Sequence, residues 1–385
     1  MGIDKRIVPL AIGGLGIGTT EFTVMGLLPD IAKTLQISIP EAGHLISAYA
    51  LGVVIGAPLL IGYSVKFAPK KVLIALMVIF TIFNALSAIA PDYTSMLVIR
   101  FLSGLPHGAF FGVGTVVAAR MAGKGKEAFY ISLMFTGLTI ANLAMVPFVT
   151  WLGHQLNWRY AFGVVSVIGL ITILGLKIFL PSMESLRTTT LKKELEFFKT
   201  AKAWHIIAIT AVGFGGLFAW FSYITPLMTT VSKFPTDFIA YIMILAGAGM
   251  VVGNFLGGIL ADKMRPALAA AILLSAMILA LIGVFFFSEN QTISLILTFI
   301  CGALSMSVGT PVNIMMLRSA KNSEMMAAAF MQAAFNIGNS VGALFGGIPL
   351  ELGLSYNYPS LVGAGLALLG FLLCLAFIKK YKAII

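Results

Sequence analysis

The sequence predicts an all-α membrane protein. It reads as twelve transmembrane helices in two six-helix halves, related by a parallel pseudo-two-fold repeat. Composition, the placement of basic residues and one constant repeat offset carry this expectation. Of the 385 residues, 59% are hydrophobic and 10% are charged, and mean hydropathy is +1.01. A soluble domain is about half apolar and about a quarter charged, so the bilayer is the solvent here. One crossing takes about 20 residues. Twelve crossings with short loops use nearly the whole chain and leave no room for a soluble domain.

The spans follow in order. The first, 7–28, comes directly after Lys5 and Arg6. It lacks a small-residue cleavage signature and contains Glu21, so it reads as a retained span rather than a signal peptide. Spans 42–64 and 71–90 follow, the latter closed by the turn pair Pro91-Asp92. Span 94–118 carries Arg100 and His107, span 128–151 carries Pro147, and span 159–180 ends before Pro181. The polar stretch 181–203 includes the amphipathic piece 191–198 and reads as a cytoplasmic linker on the membrane surface. It separates an N-terminal bundle, 1–180, from a C-terminal bundle, 204–385. In the second half, spans 204–229 and 238–261 are parted by Pro235-Thr236-Asp237. Spans 267–287 and 291–316 are parted by Ser288-Glu289-Asn290, and 323–348 and 357–378 complete the set. Pro58, Pro106, Pro147 and Pro311 lie inside spans and are candidates to kink them.

Basic residues then test the count. With these spans, 21 of the 25 Lys and Arg residues fall on the side of the N-terminus. Only Lys33, Arg159 and Lys233 fall on the other side, and Arg100 lies within a span. One missed span would invert every later loop. The asymmetry places both termini in the cytoplasm; the expected location is a bacterial inner membrane. It also accounts for the net charge of +11 without nucleic acid as a partner. Cys301 and Cys374 lie in apolar runs without Cys or His neighbours at metal-ligand spacing. They read as small buried hydrophobes, and neither a disulfide framework nor a metal site is expected.

The halves match at an offset of 197 residues. Gly16 and Gly18 correspond to Gly213 and Gly215, and Pro29 to Pro226. Gly52, Gly56, Lys66 and Pro69 correspond to Gly249, Gly253, Lys263 and Pro266, and Asn142 to Asn339. Six spans separate equivalent positions, so the halves share orientation. This is the parallel type of transporter repeat, with its site at the midplane between halves.

Four segments stand out: the span-1 segment 18–29, the Gly-x-x-x-Asp-Arg/Lys loop pattern, the span-4 arginine segment 100–108 and span 5. Together they resemble the major facilitator superfamily, in particular its drug–proton antiporter branch of arabinose-efflux-permease-like, purine-efflux and chloramphenicol-resistance carriers. The loop pattern is kept at Gly258, Asp262 and Lys263, while its first copy has Val65 in place of the Asp and retains Lys66, Lys70 and Lys71. In span 5, Gly137, Asn142 and Pro147 fit the antiporter motif, but Met145 and Val149 stand where glycines are expected. The resemblance implies alternating access, with Lys66, Lys70, Lys71, Gly258, Asp262, Lys263 and Arg265 as a gating element. Asp262 with Lys263 and Arg265 is expected to bridge to a neighbouring helix or to cap one.

Glu21 is the only acid well inside a span, and Arg100 the only base. A carboxylate in hydrocarbon is costly unless paired, hydrated or protonated, and that is what a proton-coupling site needs. Both residues lie roughly 10–12 Å from the same membrane surface at 1.5 Å per residue, close enough in depth to meet or to communicate through water. The plain alternative is a structural ion pair. His107, seven residues after Arg100, shares its helix face and is either a proton relay or a packing histidine beside Gly104, Gly108 and Gly112. His44, His154 and His205 lie near span ends and mark interfaces.

Gln332, Asn336 and Asn339 put three amides on one face of span 11. With Asn142, Asn254, Asn313, Thr310, Trp220, Tyr223 and Tyr49 they are candidates to line a neutral, hydrogen-bonding cavity, the alternative for each being interhelical polar contact. The expected function is proton-coupled efflux of a small neutral or amphipathic solute such as a sugar, nucleoside or drug. Import, or uncoupled facilitation on the same fold, is the other reading. An enzyme needs a nucleophile–base pair or metal cluster, and a receptor needs an extramembrane signalling domain; the sequence offers none of these. No cofactor is expected, and the transport unit reads as a monomer.

Overall fold

Twelve apolar spans among the described residues account for the fold. The computed structural model describes residues 4–64, 66–122, 126–184, 197–320 and 324–381. All regular secondary structure among them is helical. The first half comprises α1 (Val8–Gly26), α2 (Leu28–Leu35), α3 (Ile39–Ser64), α4 (Pro69–Ile89) and α5 (Tyr93–Met121). It continues with α6 (Glu127–Ile140), a π-helical turn at Ala141–Met145, α7 (Val146–Gln155) and α8 (Arg159–Phe179). The second half comprises α9 (Ala201–Phe221), α10 (Ile239–Lys263), α11 (Pro266–Phe287), α12 (Gln291–Ser319), α13 (Glu324–Glu351) and α14 (Tyr358–Lys380). Eleven segments are long and apolar enough to cross a membrane. The twelfth span is α13, 28 residues long, whose three amides lower its hydropathy.

Two of the turn signals read from sequence become helix caps. Asp92 and Ser95 form a capping box at the start of α5, and the Asn290 side chain accepts from the Ile293 N–H at 3.1 Å at the start of α12. Three breaks depart from the expected continuous spans. The first span ends at Gly26 and restarts as the short α2. Pro29 has no N–H for the carbonyl four residues back, Met25, so the helical ladder loses a bond there. Around Pro147 the fifth span widens into its π turn, with Val146 N–H donating to Ala141 O. After Pro226 the seventh span does the same at Leu227–Val231. By contrast Pro58, Pro106 and Pro311 sit inside α3, α5 and α12 without interrupting them.

The repeat is spatial as well as sequential. α3 packs on α5 as α10 packs on α12, α4 on α8 as α11 on α14, and α1 on α6 and α8 as α9 on α13 and α14. The glycines at matched positions explain one of these pairings. A Cβ on Gly52 or Gly56 would collide with the backbone carbonyls of Phe101 and Leu105 on α5. A Cβ on Gly249 or Gly253 would collide with those of Phe299 and Ala303 on α12. The two halves meet chiefly through α3 against α13, and α10 against α7 and the π turn before it.

The lysine- and arginine-rich face carries further fastenings. The Lys70 ammonium donates to the carbonyls of Lys177 at 2.9 Å and Leu180 at 2.5 Å, capping the end of α8. Asp4 accepts from Arg6 and, at 3.0 Å, from the Tyr130 hydroxyl, tying the start of α1 to α6. The Arg6 guanidinium holds the Asp4 carboxyl down at about 2. The contact therefore persists above the usual carboxylate range and is lost only as pH falls through that low value. Most of the expected linker, including the amphipathic piece 191–196, lies outside the described residues, as does Val65.

Gly56→Leu and Gly253→Leu are each expected to destabilise the fold by at least about 3 kcal/mol, because the colliding atoms are backbone. Gly258→Ala, which meets nothing within 4 Å, is expected to be neutral. Thermal unfolding of the three purified variants checks this contrast.

Candidate functional site

Glu21 and Arg100 are the only acid and the only Lys or Arg buried among the described residues, Glu21 being 7% exposed. They do not form a direct ion pair: no contact between them falls within 4 Å. Arg100 instead donates from Nη1 to Thr20 Oγ1 at 3.0 Å and from Nη2 to the Thr20 carbonyl at 3.2 Å. Of the two readings left open, meeting or communicating across a gap, the arrangement is the second. The guanidinium sits at the backbone of the residue before Glu21 and acts on its carboxyl through space. Its flat face covers the Tyr49 ring, 4.3 Å to the centroid, a cation–π contact that suits a dehydrated guanidinium.

Tyr49 in turn bonds His107, with its hydroxyl 3.1 Å from Nδ1. His107 also meets the edge of Phe111. Arg100 and His107 share α5, and Tyr49 on α3 bridges them. All three candidates for proton coupling therefore lie in one buried string, His107–Tyr49–Arg100–Thr20–Glu21. The sequence named Tyr49 only as a cavity residue. Thr20, and Asn84 behind it, were missed; a lone Asn within a 21-residue apolar helix was the available signal.

The second half meets this string with amides. Asn339 of α13 interacts with the Glu21 carboxyl, yet its Nδ2 and Oδ1 are both buried without a partner in bonding geometry. Asn336 donates to the Gln332 carbonyl at 3.0 Å and leaves Oδ1 free. Trp220 also keeps a buried Nε1–H without a partner. Such groups are open to a solute or water. The remaining cavity candidates are placed differently. Asn254 is exposed and accepts from Thr310 at 3.4 Å, and Asn313 bonds back to Gly309 O at 2.9 Å. The Asn142 backbone packs against Gly247 of α10. Tyr223 bonds Ala343 O at 2.7 Å and lies between Gly43 and Gly347, as a wedge between the halves.

At the face opposite the basic one, the halves are fastened. Thr225 donates across the boundary to the carbonyls of Met25 at 2.9 Å and Gly26 at 3.1 Å. The Met25 carbonyl is the one that Pro29 leaves without a helical donor. Phe22 stacks on Phe218 and meets Phe221 edge-on nearby, and Gln155 donates to Asp237 at 3.1 Å. His154 lies 2.9 Å from Asp30 within the first half, while His44 bonds Tyr93 and His205 bonds Leu373 O. The expected gating cluster is looser. Asp262, Lys263 and Arg265 are exposed and their side chains bond no other described residue, so the anticipated bridge or cap is absent among the described residues. Lys66 and Lys71 are likewise exposed, and Lys70 acts within its own half.

Two repeated helical halves, with Glu21 and Arg100 the only buried charges among the described residues, define a membrane transporter rather than an enzyme. The family model of the Major Facilitator Superfamily matches residues 10–331. The chain is 39% identical over 362 residues to the putative transporter AraJ of Escherichia coli strain K12, covering 94% of this chain and 92% of that one. It is 39% identical over 382 residues to the inner membrane transport protein YdhP of the same strain, covering 99% and 97%. A probable sugar efflux transporter of Helicobacter pylori strain ATCC 700392 / 26695 is 29% identical over 380 residues, covering 98% and 96%. A crystal structure of a D-xylose–proton symporter superposes with a TM-score of 0.79 at 17% identity, covering 97% of each chain. The chain belongs to the Major Facilitator Superfamily.

Thr225→Val removes the donor that the Met25 and Gly26 carbonyls share. Thiol labelling of single cysteines placed near Phe22 is expected to rise several-fold in this variant, and Thr225→Ser is expected to stay near wild type.

Proposed function

We propose that this transporter exports a small neutral or amphipathic solute in exchange for protons, by alternating access of the two halves. The observation that carries the reading is Glu21: a lone buried acid at the boundary between halves, with Arg100 behind it and Asn339 of the other half before it. An acid so placed takes or gives up a proton as the contacts on its two sides change. Export is favoured by the likeness to the probable sugar efflux transporter and by the span-1 segment. The uncharged amides of α13 suit sugars, nucleosides or drugs that offer hydroxyl and amide groups. The basic face is the cytoplasmic one by the distribution of lysine and arginine, in a bacterial inner membrane. One chain is the working unit.

Import or uncoupled facilitation on the same fold is the second reading, favoured by Met145 and Val149 in the span-5 motif. Reconstitution in liposomes with a pH-sensitive dye separates the two. Sugars, nucleosides and drugs are added in turn to wild type and to Glu21→Gln. Proton movement driven by substrate in wild type, reduced at least tenfold in the variant, is the expected result. Substrate flux without proton movement in either protein overturns coupling and leaves a facilitator.

A further inference from the structure

α4 packs on α5 and α8 and stands away from the boundary between halves. Its hydroxyl side chains do what hydroxyls in membrane helices usually do: Thr81 bonds Met77 O and Ser87 bonds Phe83 O, one turn back on their own helix. Asn84, fully buried, behaves differently. Its Nδ2 donates to Phe80 O at 2.8 Å, which leaves Oδ1 pointing away from the helix, and Oδ1 accepts from Thr20 Oγ1 at 2.6 Å.

Thr20 is unusual on α1 for the same reason. Thr19 and Thr23 bond back to Leu15 O and Thr19 O, while Thr20 reaches across to α4. A hydroxyl has one proton to give. Because Asn84 takes it, the lone pairs of Thr20 Oγ1 face Arg100, whose guanidinium only donates. The chain Arg100 → Thr20 → Asn84 therefore has a single polarity, set from α4.

The second half shows what this chain is for. At the repeat offset, Thr20 and Asn84 correspond to Leu217 and Leu281, and no basic residue occurs from Pro266 to Leu317. Where there is no buried charge, both matching positions are buried leucines. We propose that Asn84 is a positioning residue for Arg100. It acts through Thr20 to hold the guanidinium at the backbone beside Glu21. Nothing in the packing of α4 requires an amide there.

The first arm of the test rests on the proton-exchange reading. Asn84→Leu and Thr20→Val are each expected to cut substrate-driven proton movement about tenfold, the size of one lost hydrogen bond to a buried charge. The double variant is expected to fall no further, and Thr20→Ser to retain coupling. Counterflow of labelled substrate, which needs no net proton, is expected to lose less than twofold. Equal losses in both assays, or additive losses in the double variant, overturn the positioning role.

A second arm needs neither substrate nor protons. The melting temperature of the purified full chain is measured for Asn84→Leu with Arg100 intact and with Arg100→Gln. Asn84→Leu is expected to lower it by several degrees in the first background and by less than half as much in the second. Equal lowering in both backgrounds overturns the proposal. If wild type moves no protons, the exchange reading falls and this cycle alone decides on Asn84.

Discussion

Everything at the centre of this transporter depends on keeping one guanidinium out of water. Arg100 cannot shed its charge, and no solvent reaches it. The chain answers with partners of three kinds: a hydroxyl and a carbonyl from Thr20, the face of Tyr49, and the field of Glu21. These come from α1 and α3, and Arg100 itself stands on α5. Satisfying the charge therefore fixes how those helices pack. The Nε of Arg100 remains without a partner, so the arrangement is close to complete without being closed.

The glycine seams serve the same end from the backbone side. α3 and α5 approach until a Cβ has no room, which brings Tyr49 and His107 within bonding distance. The second half uses an identical seam between α10 and α12 but places no charge beside it. One scaffold, duplicated, thus carries two different interiors: a polar, ionised one and an amide-lined, neutral one.

Much of this was legible in the sequence, for physical reasons. A membrane span must be continuous and apolar, and Asp92 and Asn290 announce their turns by chemistry that few other residues supply. Glu21 and Arg100 stood out because charge in hydrocarbon is rare. What could not be read was direction. Three threonines lie within five residues of α1, and nothing in their order tells which one turns from its own helix toward α4. Asn84 was passed over for that reason. The contact between Tyr49 and His107 joins residues 58 positions apart, a relation that helical periodicity does not contain. Whether Glu21 and Arg100 touch was left open by the sequence, because depth along a helix axis leaves the rotation of each helix undetermined. The bridge expected of Asp262 came from a loop pattern and not from any local constraint.

The hydroxyl of Thr225 holds two carbonyls of α1, one of which Pro29 deprives of its helical donor. The matching position in the first half, Leu28, has no hydroxyl to give. Under the alternating access proposed above, parting the halves at that face would leave those oxygens to water. Opening would then be a wetting step whose equilibrium follows the chemical activity of water, and excluded osmolytes that lower it would hold this side of the transporter shut.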